Sequence, residues 1–234
     1  MIIRDPTGQA LGELIPPPAQ RPQISLPRSA YSPDGFRRWA FSGNYPVGCQ
    51  VSLIGNEILI DMNADNIGTH GKVKMVITGV LMNLVYENDL GEMFPDRTLV
   101  THEAAGVSNE PDACFVSWKR IESGEVTIAR DARNEEESIV GAPDWVLEVV
   151  SHSSVRKDTK LLKQAYFAAG VDEYWLVDAR SEQVSLDILV RGKRAFVASP
   201  KRSGWSVSKI FGRRFSLRRR VYKGFWRYEL LVAS

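Results

Sequence analysis

Glu148 lies inside the apolar run WVLEVV (residues 145–150), and Asp112 follows Pro111 at the head of DACFV. An isolated buried carboxylate is costly, so each needs a cation, a hydrogen-bond network or a metal. Side chains alternate along a strand, so Glu148 shares a face with Val146 and Val150, and Asp112 shares one with Cys114 and Val116. If the two strands are neighbours, both acids can point at one spot, where ligation by oxygens alone suits Mg²⁺ or Mn²⁺. Such an ion can bind a phosphate oxygen and acidify a bound water. A nearby lysine would orient that water or offset developing negative charge. Lys157, Lys160 and Lys163 all follow at the start of the next helix. Plainer roles stand beside this one. Asp112 can be a turn residue held by backbone N–H groups, and Glu148 can pair with Arg156 or Lys157.

Other arrangements offer less. Ser151 and His152 are adjacent, so in an extended segment they face opposite ways and make no dyad. The run SHSS is better read as a helix cap through Ser153 or Ser154. His70 opens a long helix, either near the metal site or as a structural hydrogen bonder, and Asp158 reads as structural. Gly71-Lys72 lacks the glycine spacing of a phosphate loop, and no dinucleotide fingerprint occurs.

The elements that must hold these groups follow from the pattern. Seven of the twelve prolines fall in residues 1–33, so residues 1–31 read as an extended arm. A short helix begins after Ser32, with Pro33 and Asp34 in its first turn. Two apolar runs broken at Gly55-Asn56 read as a hairpin. Val73, Val76, Ile77, Val80, Leu81, Leu84 and Val85 recur at helical spacing. Short strands flank Pro95-Asp96, another spans residues 111–118, and the polar, acidic residues 119–142 read as a long surface loop. The strand carrying Glu148 leads to a helix ending at Gly170, then to the buried strand EYWLVD. Helix, three strands, helix and strand, in that order, make a mixed α/β sheet.

Composition bounds the rest. The apolar fraction of 44% can supply a core, and no 18-residue apolar run predicts a membrane span. The first residues lack the form of a secretory signal. Cys49 and Cys114 stand far apart, which argues against a disulfide framework and suits a cytoplasmic setting. Charge is unevenly placed: residues 188–228 hold 13 Lys or Arg and no Asp or Glu. This raises nucleic acid as a partner, alongside an acidic face of a second chain.

The runs EPDACFVSW and GAPDWVLEVVSHSSVRKDTKLLKQAYFAAGVDEYWLVDAR resemble the Uma-two restriction-endonuclease-like family, within the PD-(D/E)xK nuclease-like superfamily. The resemblance covers about residues 32–180 and is densest over 144–178. It implies a restriction-endonuclease-like αβββαβ core over residues 32–190, with residues 191–234 a basic β extension of the same domain. It also implies a Mg²⁺- or Mn²⁺-dependent endonuclease acting on DNA, with Asp112 and Glu148 as metal ligands, and chains that often act as homodimers. The family's lysine slots fall on Val150 and Leu162, so the cation role passes to a neighbour. At about 100° per residue, Lys163 lies nearest position 162, Lys157 next and Lys160 farthest. Lys163 is therefore favoured narrowly over Lys157. The empty slots also motivate a second reading: a catalytically impaired nuclease fold that binds DNA or a protein partner.

Overall fold

The structure, a computed structural model, describes residues 24–233. Most of the proline-rich arm expected over residues 1–31 therefore lies outside the described residues. Helix α1 (Pro33–Ala40) starts where Ser32 accepts from the Gly35 N–H. Strands β1 (Gln50–Ile54) and β2 (Glu57–Asp61) form the expected antiparallel hairpin. A π-type turn (Ile67–Gly71), capped by the Asn66 side chain, feeds α2 (Lys72–Glu87). Then come β3 (Gly91–Phe94), β4 (Val100–His102), β5 (Val107–Asn109) and β6 (Ala113–Ser117).

Residues 119–142 are not the surface loop their composition predicts. They hold most of α3 (Trp118–Glu122), and β7 (Thr127–Arg130) pairs antiparallel with β8 (Glu136–Val140). This pair closes one edge of a six-stranded sheet of order β2-β1-β5-β4-β8-β7. An edge hairpin needs few apolar side chains, and here Val126, Ile128 and Ile139 suffice to anchor it.

The second sheet has the order β12-β11-β10-β9-β6-β3. Its later strands are β9 (Trp145–Val149), β10 (Glu173–Asp178), β11 (Ser185–Arg191) and β12 (Phe196–Ala198). Strands β9 and β10 run parallel, joined by α4 (Leu162–Ala169), which ends at Gly170 in the left-handed region at φ 106°. The succession α2, β3, β6, β9, α4, β10 is the αβββαβ order expected. Helix α2 covers one face of the sheet, packing Val73, Ile77 and Leu81 near Trp145 and Trp175. Helix α4 lies on the other face, with Leu162 and Tyr166 against Val146 and Tyr174.

A third, four-stranded sheet comprises β13 (Lys201–Arg202), β14 (Trp205–Ser208), β15 (Arg213–Tyr222) and β16 (Phe225–Ala233). Its Phe211, Phe215, Tyr228 and Leu230 enter the same cluster as Trp145 and Trp175. Trp175 meets Phe215 edge-on at 4.9 Å and Phe211 at 6.0 Å. These contacts join the third sheet to the core of the second. Phe211→Ala is therefore expected to cost about 3–5 kcal/mol of unfolding free energy, and denaturant titration should show one cooperative transition for both chains.

Candidate active site

Strands β6 and β9 are antiparallel neighbours, pairing Ala113 with Leu147 and Cys114 with Val146. Asp112 sits at a bend just before β6, next to the last pair of this register and beside Leu147 to Val149 of β9. The Asp112 N–H donates to Leu147 O at 3.0 Å, and the Val149 N–H donates to Asp112 Oδ2 at 2.6 Å. Both carboxylates are buried, 7% and 2% exposed. They lie close enough for the charge of Asp112 to act on Glu148.

Their environments then push them apart. Asp112 is met by cations from the start of α2. Lys74 Nζ is 3.3 Å from its Oδ1, and His70 Nε2 is 3.4 Å from its Oδ2. Lys74 also donates to Asp65 and Asp96, each at 2.7 Å. Burial would raise the Asp112 carboxyl, but His70, Lys74 and the Val149 N–H outweigh it and hold it below its ordinary value. His70 is raised in turn: burial opposes its charge, and Asp112 more than compensates.

Glu148 has the opposite fate. Its Oε1 accepts from Tyr166 OH at 2.8 Å and from Asn109 Nδ2 at 3.2 Å. The Asn109 amide is oriented by Ser52, whose hydroxyl donates to Oδ1 at 2.6 Å. No hydrogen bond reaches Oε2 among the described residues. Burial raises the Glu148 carboxyl well above its ordinary value, and the charges of Asp158 and Asp112 add to the shift against the pull of Lys157. The two carboxyls are thus shifted in opposite directions, Asp112 down and Glu148 up.

Of Lys157, Lys160 and Lys163, Lys157 is the one whose charge acts most strongly on Glu148. Burial disfavours its ammonium, yet Glu148, Asp158 and Asp112, in that order, raise it above its ordinary value. Its Nζ lies 3.7 Å from Asp158 Oδ1. Lys163, favoured by the phase argument, is half-buried on α4 and is not among the strongest charges acting on either acid. The reason is local. Residues Lys157–Leu161 form a second π-type turn, whose wider i→i+5 bonding breaks the phase of 100° per residue. Leu162 faces the apolar core.

Asp158 also faces inward. Its Oδ2 accepts from Ser154, and its buried Oδ1 has no hydrogen-bond partner. Burial pushes its carboxyl up to about 6, against the pull of Lys157. Ser154 thus spends its hydroxyl on Asp158 rather than capping the helix. Lys74, Asn109, Tyr166 and Asp158 were not read as functional from the sequence. Only Lys74 left a signal, standing four residues after His70 on one helical face.

Two clefts reach this cluster, one on each side of the hydrogen bond from Ser153 to Asp61 (2.6 Å). One, of about 240 Å³, is lined by Ser52, Arg156 and Lys157. The other, of about 490 Å³, is lined by Asp65, His70, His152 and Arg180.

Among the described residues, no three His, Cys, Asp or Glu side chains are arranged to hold a metal. The donor chemistry nevertheless fits a hard divalent cation. Asp112 acts on Glu148 as a like charge, and the buried Asp158 Oδ1 lacks a hydrogen-bond donor. The opposed shifts set signs for metal-free stability. Glu148, with its value raised, weakens the fold as pH climbs above the ordinary carboxylate range. Glu148→Gln should therefore gain about 1–3 kcal/mol at pH 8 and little at pH 4. Asp112, with its value lowered, stabilises above its ordinary range. Asp112→Asn should lose about 1.5–3 kcal/mol at pH 8. Thermal unfolding in chelator at both pH values measures each.

A family profile described as "Uma2: Putative restriction endonuclease" matches residues 33–219. A crystal structure from Anabaena variabilis, described as "a putative nuclease belonging to DUF820", is similar at a TM-score of 0.56 and 17% identity, covering 77% of this chain and 90% of that one. That likeness establishes the fold: a restriction-endonuclease-like mixed α/β core. No curated protein matches the chain.

Proposed function

The chain belongs to the Uma2 family, and from its site we propose that it is a divalent-metal-dependent DNA endonuclease. The observation that carries this reading is the buried pair Asp112 and Glu148, whose charges both act on Lys157. In this reading Asp112 and Glu148 hold Mg²⁺ or Mn²⁺, which when bound supplies electrophilic activation of phosphate and water. The chain's own groups do the rest. His70 and Lys74 keep Asp112 ionised and aimed. Asn109 and Tyr166 fix the Glu148 carboxyl through Oε1 and leave Oε2 for the site. Lys157, drawn in by three acids, offsets charge building on the phosphate. The basic stretch 188–228 supplies sequence-independent phosphate affinity. With one such site per chain, cutting both strands takes two events or a homodimer. Among the described residues no helix is long and apolar enough to cross a membrane.

The alternative, a nuclease fold that binds DNA or a protein without cutting, draws on the apolar residues at Val150 and Leu162. The burial of Lys157 among the acids favours the enzyme, because it supplies from the π-type turn the cation that those two positions lack. Supercoiled plasmid with Mn²⁺ or Mg²⁺ separates the two. The enzyme predicts nicking that Asp112→Ala and Glu148→Ala each abolish. Lys157→Ala should slow it by about 10²–10³-fold, and Lys163→Ala should leave it within about twofold. Cleavage that survives the double alanine variant would remove this site from the account. Binding without any cleavage would favour the alternative.

A further inference from the structure

The tip of the β15–β16 hairpin carries surface that the site described above does not use. Residues 220–227 are all exposed, among them Tyr222 (41%), Phe225 (67%) and Trp226 (39%). Between this tip and α2 lies a cleft of about 470 Å³, floored by Met75 and Val76 and walled by the three aromatics. Cations ring it. Lys72 sits 5.3 Å from the Phe225 ring centre, Arg227 is 3.9 Å from that of Tyr222, and Arg219 is 4.1 Å from that of Trp226.

Like charges face each other near the tip. Arg220 stands directly opposite Arg227 in the strand register, an arrangement that costs stability unless an anion intervenes. Among the described residues, Arg218, Arg220, Lys223 and Arg227 form no ion pair. Flat apolar rings between unpaired cations suit a polymer that alternates flat rings with phosphates. Duplex DNA offers the phosphates but keeps its base faces stacked, so it cannot fill the cleft. An unpaired strand offers both.

The tip is also fixed relative to the acids. Lys72 donates to Trp226 O at 3.2 Å, two residues after His70. Arg219 donates to Ala179 O at 3.2 Å and Ser181 O at 2.8 Å, on either side of Arg180 in the cleft beside His70. A strand seated on the tip is thus held next to one mouth of the site.

We propose that this cleft binds single-stranded nucleic acid, taking an unstacked base against Phe225 and Trp226 and its phosphates on Arg220, Lys223 and Arg227. As a choice of substrate, an unpaired segment beside the cut, the inference rests on the nuclease reading; as a binding site it does not. The test is fluorescence anisotropy with labelled twelve-residue oligothymidine and with a hairpin duplex, in EDTA so that nothing is cut. The full chain should bind the single strand more tightly than the duplex. Phe225→Ala should weaken single-strand binding at least about fivefold, while Phe225→Tyr, which keeps the ring, should retain it. Arg220→Gln with Arg227→Gln should weaken binding and flatten its dependence on salt. The tip is solvent-exposed, and unchanged circular dichroism and unfolding temperature will confirm that each variant is folded. Equal affinity for duplex, an unaffected Phe225→Ala variant, or a salt-resistant dimer that binds neither oligonucleotide would overturn the proposal. Single-strand binding with no plasmid nicking would uphold it while removing the nuclease reading.

Discussion

Two carboxylates buried within reach of each other's charge cannot both be ionised without help, and much of the site is arranged around that constraint. On the Asp112 side the help is protein: Lys74 and His70 from the start of α2, and a backbone N–H from β9. On the Glu148 side it is incomplete, because Tyr166 and Asn109 serve one oxygen and Lys157 is shared with Asp158. The result is a pair of carboxyls shifted in opposite directions, the imbalance on which the proposed cation rests. The arrangement costs stability in the metal-free protein, and a site that is costly without its ligand is a recurring mark of function.

Both helices that serve the acids begin with a π-type turn, Ile67–Gly71 before α2 and Lys157–Leu161 before α4. Such turns recur at functional sites because they redirect side chains without breaking the helix. Here the first precedes Lys74 and ends just after His70. The second sets Lys157 and Asp158 inward while Leu162 and Tyr166 keep the packing phase of α4. The core behind them is rigid. Trp145, Trp175 and Phe211 interlock edge-on, so the sheet that carries Glu148 has little freedom to shift.

Period and spacing made much of this fold legible. The helix over 72–87, the hairpin at Gly55 and the strand–helix–strand unit ending at Asp178 are each written in apolar periodicity and turn residues. Alternation of side chains shows only how the acids could meet if their strands were neighbours, and β6 and β9 do pair. Residues 119–142 misled because an edge hairpin that buries three apolar side chains looks in composition like solvent-exposed chain. Lys163 outranked Lys157 because a uniform helical phase was carried through a segment that is underwound, and underwinding leaves no mark in residue type. Asn109 and Tyr166 reach Glu148 from elements remote in sequence, so neither periodicity nor spacing could have paired them.

The central claim is that a divalent cation replaces the proton on Glu148. Calorimetric titration of Mn²⁺ into the protein at pH 7, in two buffers of different ionisation enthalpy, counts the protons released. The account predicts saturable binding with release of about one proton, and loss of that release in Glu148→Gln. Binding that releases no proton and is indifferent to Glu148→Gln would contradict it.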